Sequence, residues 1–187
     1  MNSDHQRGEP ARRTARILIV EDEAYDAELA QRLLTKAGLS FTAVVVETRP
    51  SFVEQLTAFR PDVILSDFHL PGFSGEIALD IAQEQCPQIP FIFWSGVLGD
   101  EAAVELIKRG ATDYVLKDRP ARLPSVIYRA LAEAEQRMQL AQLEDQLREA
   151  QHLASLGHLA AAEQAVGLTR QLLAVARREM PAADHRA

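Results

Sequence analysis

The stretch ILIVEDE, Ile17–Glu23, sets four apolar residues in a row and then three carboxylates. The β-branched content of Ile17–Val20 favours a strand, and the acidic residues directly after it mark where that strand ends. Working outward, further apolar runs recur at Val44–Val46, Val63–Leu65 and Phe91–Trp94, with a fifth, shorter one at Tyr114–Leu116. The segments between them, near Ala24–Ala37, Ser51–Phe59, Gly75–Gln85 and Asp100–Arg109, carry apolar residues at three- and four-residue intervals and read as amphipathic helices. Gly38 and Gly110 stand where helices should end, and Pro61 and Pro90 sit before or at strand starts. A strictly alternating βα order implies an α/β fold with a parallel sheet covered by helices on both faces. Ligands of such a sheet bind beyond the carboxyl ends of its strands.

At 187 residues the chain accommodates one ordinary core plus an appendage. A net charge of −7 argues against a nucleic-acid binder, which needs a basic face to displace counterions. With Cys86 alone there is no intrachain disulfide and no thiolate cluster, which fits a reducing cytoplasm. Residues 1–15, with Arg7, Gly8, Pro10, Arg12 and Arg13, read as a flexible arm. A twin-arginine export signal is disfavoured because the apolar stretch that follows is only Ile17–Val20. No segment approaches the roughly 18 uncharged apolar residues of a membrane span.

After Pro124 the texture changes. From Val126 to Arg178 there is no proline, glycine occurs only at 157 and 167, and good helix formers dominate. One nearly continuous helix of about 50 residues is expected there, about 75 Å long. Its apolar stripe begins as Ile127, Leu131, Ala134 and Met138. It then shifts phase to Leu140, Leu143, Leu147 and Ala150, followed by Leu153, Leu156 and Leu159. The first part can close the sheet, whereas the later part needs another helix. The expected organisation is an arm at 1–15, an α/β domain at 16–133, a helical dimerisation extension at 134–180 and a disordered tail at 181–187.

Glu21 and Asp22 follow the first apolar run directly, and Asp67 follows the third. In a doubly wound sheet the first and third strands are neighbours, so these carboxylates converge on one pocket. Their mutual repulsion calls for a hard cation with oxygen ligands, and Mg²⁺ fits that need. Ser95 after the fourth run and Lys117 after the fifth add a hydroxyl and an ammonium to the same rim. Any one acidic residue after a strand is more often a helix cap. Five residues of complementary type at the ends of four strands instead suit phosphoryl transfer to a carboxylate.

The stretches ILIVEDE at Ile17–Glu23, VILSDFHLPGFSG at Val63–Gly75, PFIFWSG at Pro90–Gly96 and GATDYVLKD at Gly110–Asp118 together resemble the CheY-like response-regulator receiver domain. The resemblance covers roughly residues 15–133. It implies a flavodoxin-like, five-stranded, doubly wound parallel sheet in the order 2-1-3-4-5. It also implies Asp67 as the phosphorylated residue, Asp22 as a direct Mg²⁺ ligand, Glu21 as a ligand through water and the His69 carbonyl completing the site. Ser95 and Lys117 are then implied to hold phosphoryl oxygens, and Tyr114 to be the aromatic that changes rotamer on activation. A metal-binding role for the His69 imidazole is disfavoured for want of a second histidine at ligand spacing; modulation of water access is the better reading. Phe93 and Trp94 are expected in the core or at the switch surface, and Cys86 is expected to be inert. One departure stands out: Asp118 occupies the place where the family usually carries proline after the lysine. A cis bond without proline costs about 2.5–4 kcal/mol, so a trans link is expected. The LKD variant resembles receivers attached to sensor histidine kinases.

Gln146–Ala165 resembles the first dimerisation helix of histidine kinases, but the phosphorylatable histidine of that motif falls at Ala165, with His152 and His158 out of place. No room remains before Ala187 for a kinase catalytic domain, so the expectation is a phospho-acceptor and not an enzyme. The partners implied are a sensor histidine kinase or phosphotransfer protein and a second copy paired in parallel through the C-terminal helix. Two readings remain open, a phosphorylation-switched module signalling through that helix and a phosphate shuttle or sink without output. A phosphatase of the haloacid-dehalogenase type is disfavoured, because His69 stands where a second aspartate is required.

Overall fold

The computed structural model describes residues 14–96 and 100–179, without the side chains of 100–102, 154–165 and 171–179. The arm through residue 13 and the tail from residue 180 lie outside it, as do the side chains of Leu156, His158, Leu159 and Ala165. Strands β1 (Ala15–Val20), β2 (Phe41–Val46), β3 (Val63–Ser66), β4 (Phe91–Ser95) and β5 (Asp113–Leu116) alternate with helices α1 (Ala24–Lys36), α2 (Arg49–Ala58), α3 (Gly75–Gln85) and α4 (Asp100–Lys108). A short 3₁₀ turn, Pro120–Arg122, leads into α5 (Leu123–Glu179).

All strand pairs are parallel, in the order β2-β1-β3-β4-β5. The expected flavodoxin-like sheet is thus observed, with β1 and β3 side by side where the winding reverses. Successive side chains of a strand face opposite ways, and the core divides accordingly. Leu18, Val20, Ile64, Phe91 and Phe93 pack with Phe52 and Leu56 of α2, Leu79 of α3 and Leu106 of α4. Ile17, Ile19, Leu65, Ile92 and Trp94 pack on the other face with Ala30 and Leu34 of α1 and with Leu123, Val126 and Ile127 of α5. Covering on both faces explains why the inner strands read as unbroken apolar runs.

α1 and α4 both end in the same way. Gly38 and Gly110 adopt φ of 80° and 105°. The N–H groups of Gly38 and Leu39 close back on Thr35 and Leu34, and those of Gly110 and Ala111 on Ile107 and Leu106. This is the Schellman closure that a left-handed residue permits.

The chain divides into two compact units, Met1–Gln136 and Arg137–Ala187. The first holds the sheet. Within the second, the described side chains of Met138, Leu140, Leu143, Leu147 and Leu153 are exposed, Leu147 at 60%. Among the described residues no helix is long and apolar enough to cross a membrane.

Candidate functional site

The sheet's hydrogen bonding runs one residue past the strands, and that continuation aligns the acidic residues. Glu21 N–H donates to the Val46 carbonyl, Asp67 N–H to that of Val20, and Lys117 N–H to that of Ser95. Glu21, Asp67 and Lys117 therefore inherit the register of β1, β3 and β5, and one carboxylate oxygen from each of Glu21, Asp22 and Asp67 lies within 4.8 Å of the others. The convergence expected at the β1/β3 switch point is present.

Asp67 is nearly buried. Its Oδ1 accepts the Phe68 N–H at 2.6 Å, and Oδ2 faces Lys117 Nζ at 3.1 Å. The backbone of the next residue is tied to α3, whose first residue, Gly75, donates its N–H to the Phe68 carbonyl. A Cβ at Gly75 would stand 2.2 Å from the Asp67 carbonyl oxygen and 2.8 Å from the Phe93 ring, so only glycine allows α3 to start this close to the site.

Lys117 is the hub of the charges. Its ammonium lies 2.7 Å from Asp26 Oδ2, 2.8 Å from Glu21 Oε2 and 3.1 Å from Asp67 Oδ2, with its side chain only 14% exposed. Burial alone would lower its pKa; hydrogen bonds to Asp26, Glu21 and Asp67 outweigh this and hold it above the ordinary lysine value. Glu21, with its side chain fully enclosed, is also shifted upward, but here burial is the cause: it pushes the carboxyl up to about 7 against the opposing pull of Lys117. Asp26, in the first turn of α1, was not among the residues singled out from sequence. It precedes no motif of its own, and its partner lies 91 positions away.

Of the remaining expected residues, Ser95 and His69 fall at the same rim, and the others lie elsewhere. Ser95 ends β4, buried, and is paired in register with Leu116 next to Lys117. His69 packs edge-on against Phe68, at 4.8 Å between ring centres, and lines an open depression of about 480 Å³ with Asp22, Pro71 and Glu76. Tyr114 sits half-buried on β5 against the core and lines a second, mostly apolar depression with Val104 and Ile107 of α4. Trp94 and Phe93 are fully enclosed on opposite faces of the sheet. Cys86 caps α3, and burial pushes its thiol up, which disfavours the reactive thiolate. Among the described residues no peptide is cis, so the Lys117–Asp118 link is trans. Without the proline that commonly shapes this loop, a turn closes it instead, Arg119 N–H donating to the Leu116 carbonyl.

The Glu21, Asp22 and Asp67 oxygens form an all-carboxylate donor set, partly buried and without nitrogen or sulfur ligands. Such a set suits a hard divalent cation such as Mg²⁺. The raised pKa of Glu21 registers the penalty that a neighbouring cation would offset.

The profile of the response regulator receiver domain matches residues 17–128. The DNA-binding transcriptional regulator NtrC of Klebsiella pneumoniae is 35% identical over 99 residues, 53% of this chain and 21% of NtrC. The chemotaxis protein CheY of Thermotoga maritima is 28% identical over 109 residues, 58% of this chain and 90% of CheY. Among solved structures, NtrX from Brucella abortus superposes with a TM-score of 0.62 at 28% identity, over 70% of this chain and 29% of NtrX. A CheY-like receiver protein from Methanospirillum hungatei gives 0.58 at 25% identity, over 66% of this chain and 98% of its own. The chain thus spans only a minor share of NtrC and NtrX and nearly the whole of the single-domain receivers. Over residues 17–128, more than half its length, this chain belongs to the response regulator receiver domain family of two-component signalling.

Proposed function

We propose that Asp67 accepts a phosphoryl group from a histidine kinase or phosphotransfer protein and that the C-terminal helix carries the consequence to a second copy of the chain. The observation that supports this best is the disposition of Asp67 itself. One oxygen is fixed by the Phe68 N–H, and the other faces Lys117, the lysine that three carboxylates share. In the transfer, an Asp67 oxygen bonds to phosphorus as the P–N bond to the donor imidazole breaks, and the released nitrogen takes up a proton. Lys117 then pairs with a phosphoryl oxygen, and the Ser95 hydroxyl donates to another. Glu21, Asp22, Asp67 and the His69 carbonyl would hold Mg²⁺, which would neutralise charge on the transferring oxygens. Hydrolysis of the acyl phosphate, releasing inorganic phosphate, returns Asp67 to its starting state.

Drawing Ser95 toward the new dianion vacates space beside Tyr114, whose inward turn alters the depression it shares with α4. Exposed Leu140, Leu143 and Leu147, at three- and four-residue intervals, favour parallel self-pairing as the output over a sink without one. The test is labelling by a small phosphodonor such as acetyl phosphate. One phosphoryl group per chain is expected with Mg²⁺, none with a chelator, and none in Asp67→Asn. Full labelling of Asp67→Asn overturns the assignment.

A further inference from the structure

Resting on Asp67 as acceptor, we infer that Asp26 is a positioning residue: it holds the Lys117 ammonium beside the reacting edge while the lysine's other two partners are engaged elsewhere. An ammonium has three N–H donors. Here three carboxylates lie within ion-pair distance of it, at 2.7 Å (Asp26), 2.8 Å (Glu21) and 3.1 Å (Asp67). Two of those acceptors have competing duties. The Asp67 oxygen must be released to bond phosphorus, and Glu21 belongs with Asp22 and Asp67 to the oxygen set that suits a cation. Asp26 stands outside that set, and it makes the shortest of the three contacts.

Its position also suits the task. Asp26 lies in the first turn of α1, its backbone N–H bonded to the Glu23 carbonyl, and the next residue, Ala27, is buried in the core. The carboxylate is thus mounted on a rigid element, independent of the loop that carries Asp67. Held by Asp26, the lysine keeps one charge-assisted bond when it surrenders the Asp67 oxygen. Freed from Asp26, it is left to Glu21 and Asp67 and competes with the cation for both.

The test uses the full chain and five variants. Asp26→Asn preserves shape and removes the charge, and its labelling rate at saturating Mg²⁺ and acetyl phosphate is expected to fall about tenfold, the scale of one lost hydrogen bond to a charged group. Asp26→Ser, as a second truncation, should behave alike, and Asp26→Glu should restore most of the rate. In a Lys117→Ala background, Asp26→Asn should slow labelling no further, because the residue acts through the lysine. The ¹H–¹⁵N signal of the Lys117 ammonium, shielded from exchange by its carboxylate neighbours, should be visible in the metal-free wild type and in Asp26→Glu, and lost in Asp26→Asn. A wild-type rate in Asp26→Asn, or an equal loss with and without Lys117, overturns the inference. The ammonium signal is read without phosphodonor, so it tests the Asp26–Lys117 pairing even if Asp67→Asn shows the acceptor to be elsewhere.

Discussion

Lys117 is tied to three carboxylates in an environment that is largely dry, and that makes it a stability element as well as a chemical one. Lys117→Met keeps the stem and removes the charge, leaving Glu21, Asp26 and Asp67 facing each other without compensation. Breaking one side of a buried ion pair costs about 3–5 kcal/mol. Urea unfolding without metal should show a loss near the lower end of that range, about 3 kcal/mol, because Asp26 and Lys117 retain some exposure. Added Mg²⁺ should recover part of it by supplying a replacement cation. An unchanged midpoint would show the cage to be energetically idle. At this scale, the residues legible in sequence are those at the end of a strand or within two residues of it: Glu21, Asp22, Asp67, Ser95 and Lys117. Asp26 was hidden because its role depends on where α1 begins and how its first turn faces β5, and no spacing in the sequence encodes that.

Gly75 fixes how closely α3 approaches the site. Gly75→Ala forces a methyl into the Asp67 carbonyl and the Phe93 ring, and overpacking of this kind costs about 1–3 kcal/mol. Gly96→Ala, with nothing within 4 Å of the added carbon, should be close to neutral. Thermal unfolding of the two variants side by side measures the difference; equal midpoints would contradict the close approach of α3. The inner strands were legible because burial on both faces leaves them uniformly apolar. β2 was caught only in its second half, since this edge strand starts at Phe41 and alternates half-buried and exposed positions through Thr42. α2 begins two residues before its apolar pattern, at Arg49, because Thr48 caps it and Pro50 lies in its first turn. The 3₁₀ turn at Pro120–Arg122 has no periodic signal, being only three residues long.

For the whole molecule, the unit ending at Gln136 contains both halves of the core, and Ala134 is its last buried apolar residue among those described. A chain truncated after Gln136 should fold, take up label at the wild-type rate and sediment as a monomer. The full chain should sediment as a dimer. A dimeric truncated chain would remove the C-terminal helix from the self-association proposed for it.

The sharpest single measurement locates the phosphoryl group on the labelled full chain. Borohydride reduces an aspartyl phosphate to homoserine, so peptide mapping after reduction reads the acceptor residue directly. Conversion at Asp67, dependent on Mg²⁺ and on the phosphodonor, is the predicted result. Conversion at Asp22 or Asp26 in its place, or label retained on His152, would contradict it.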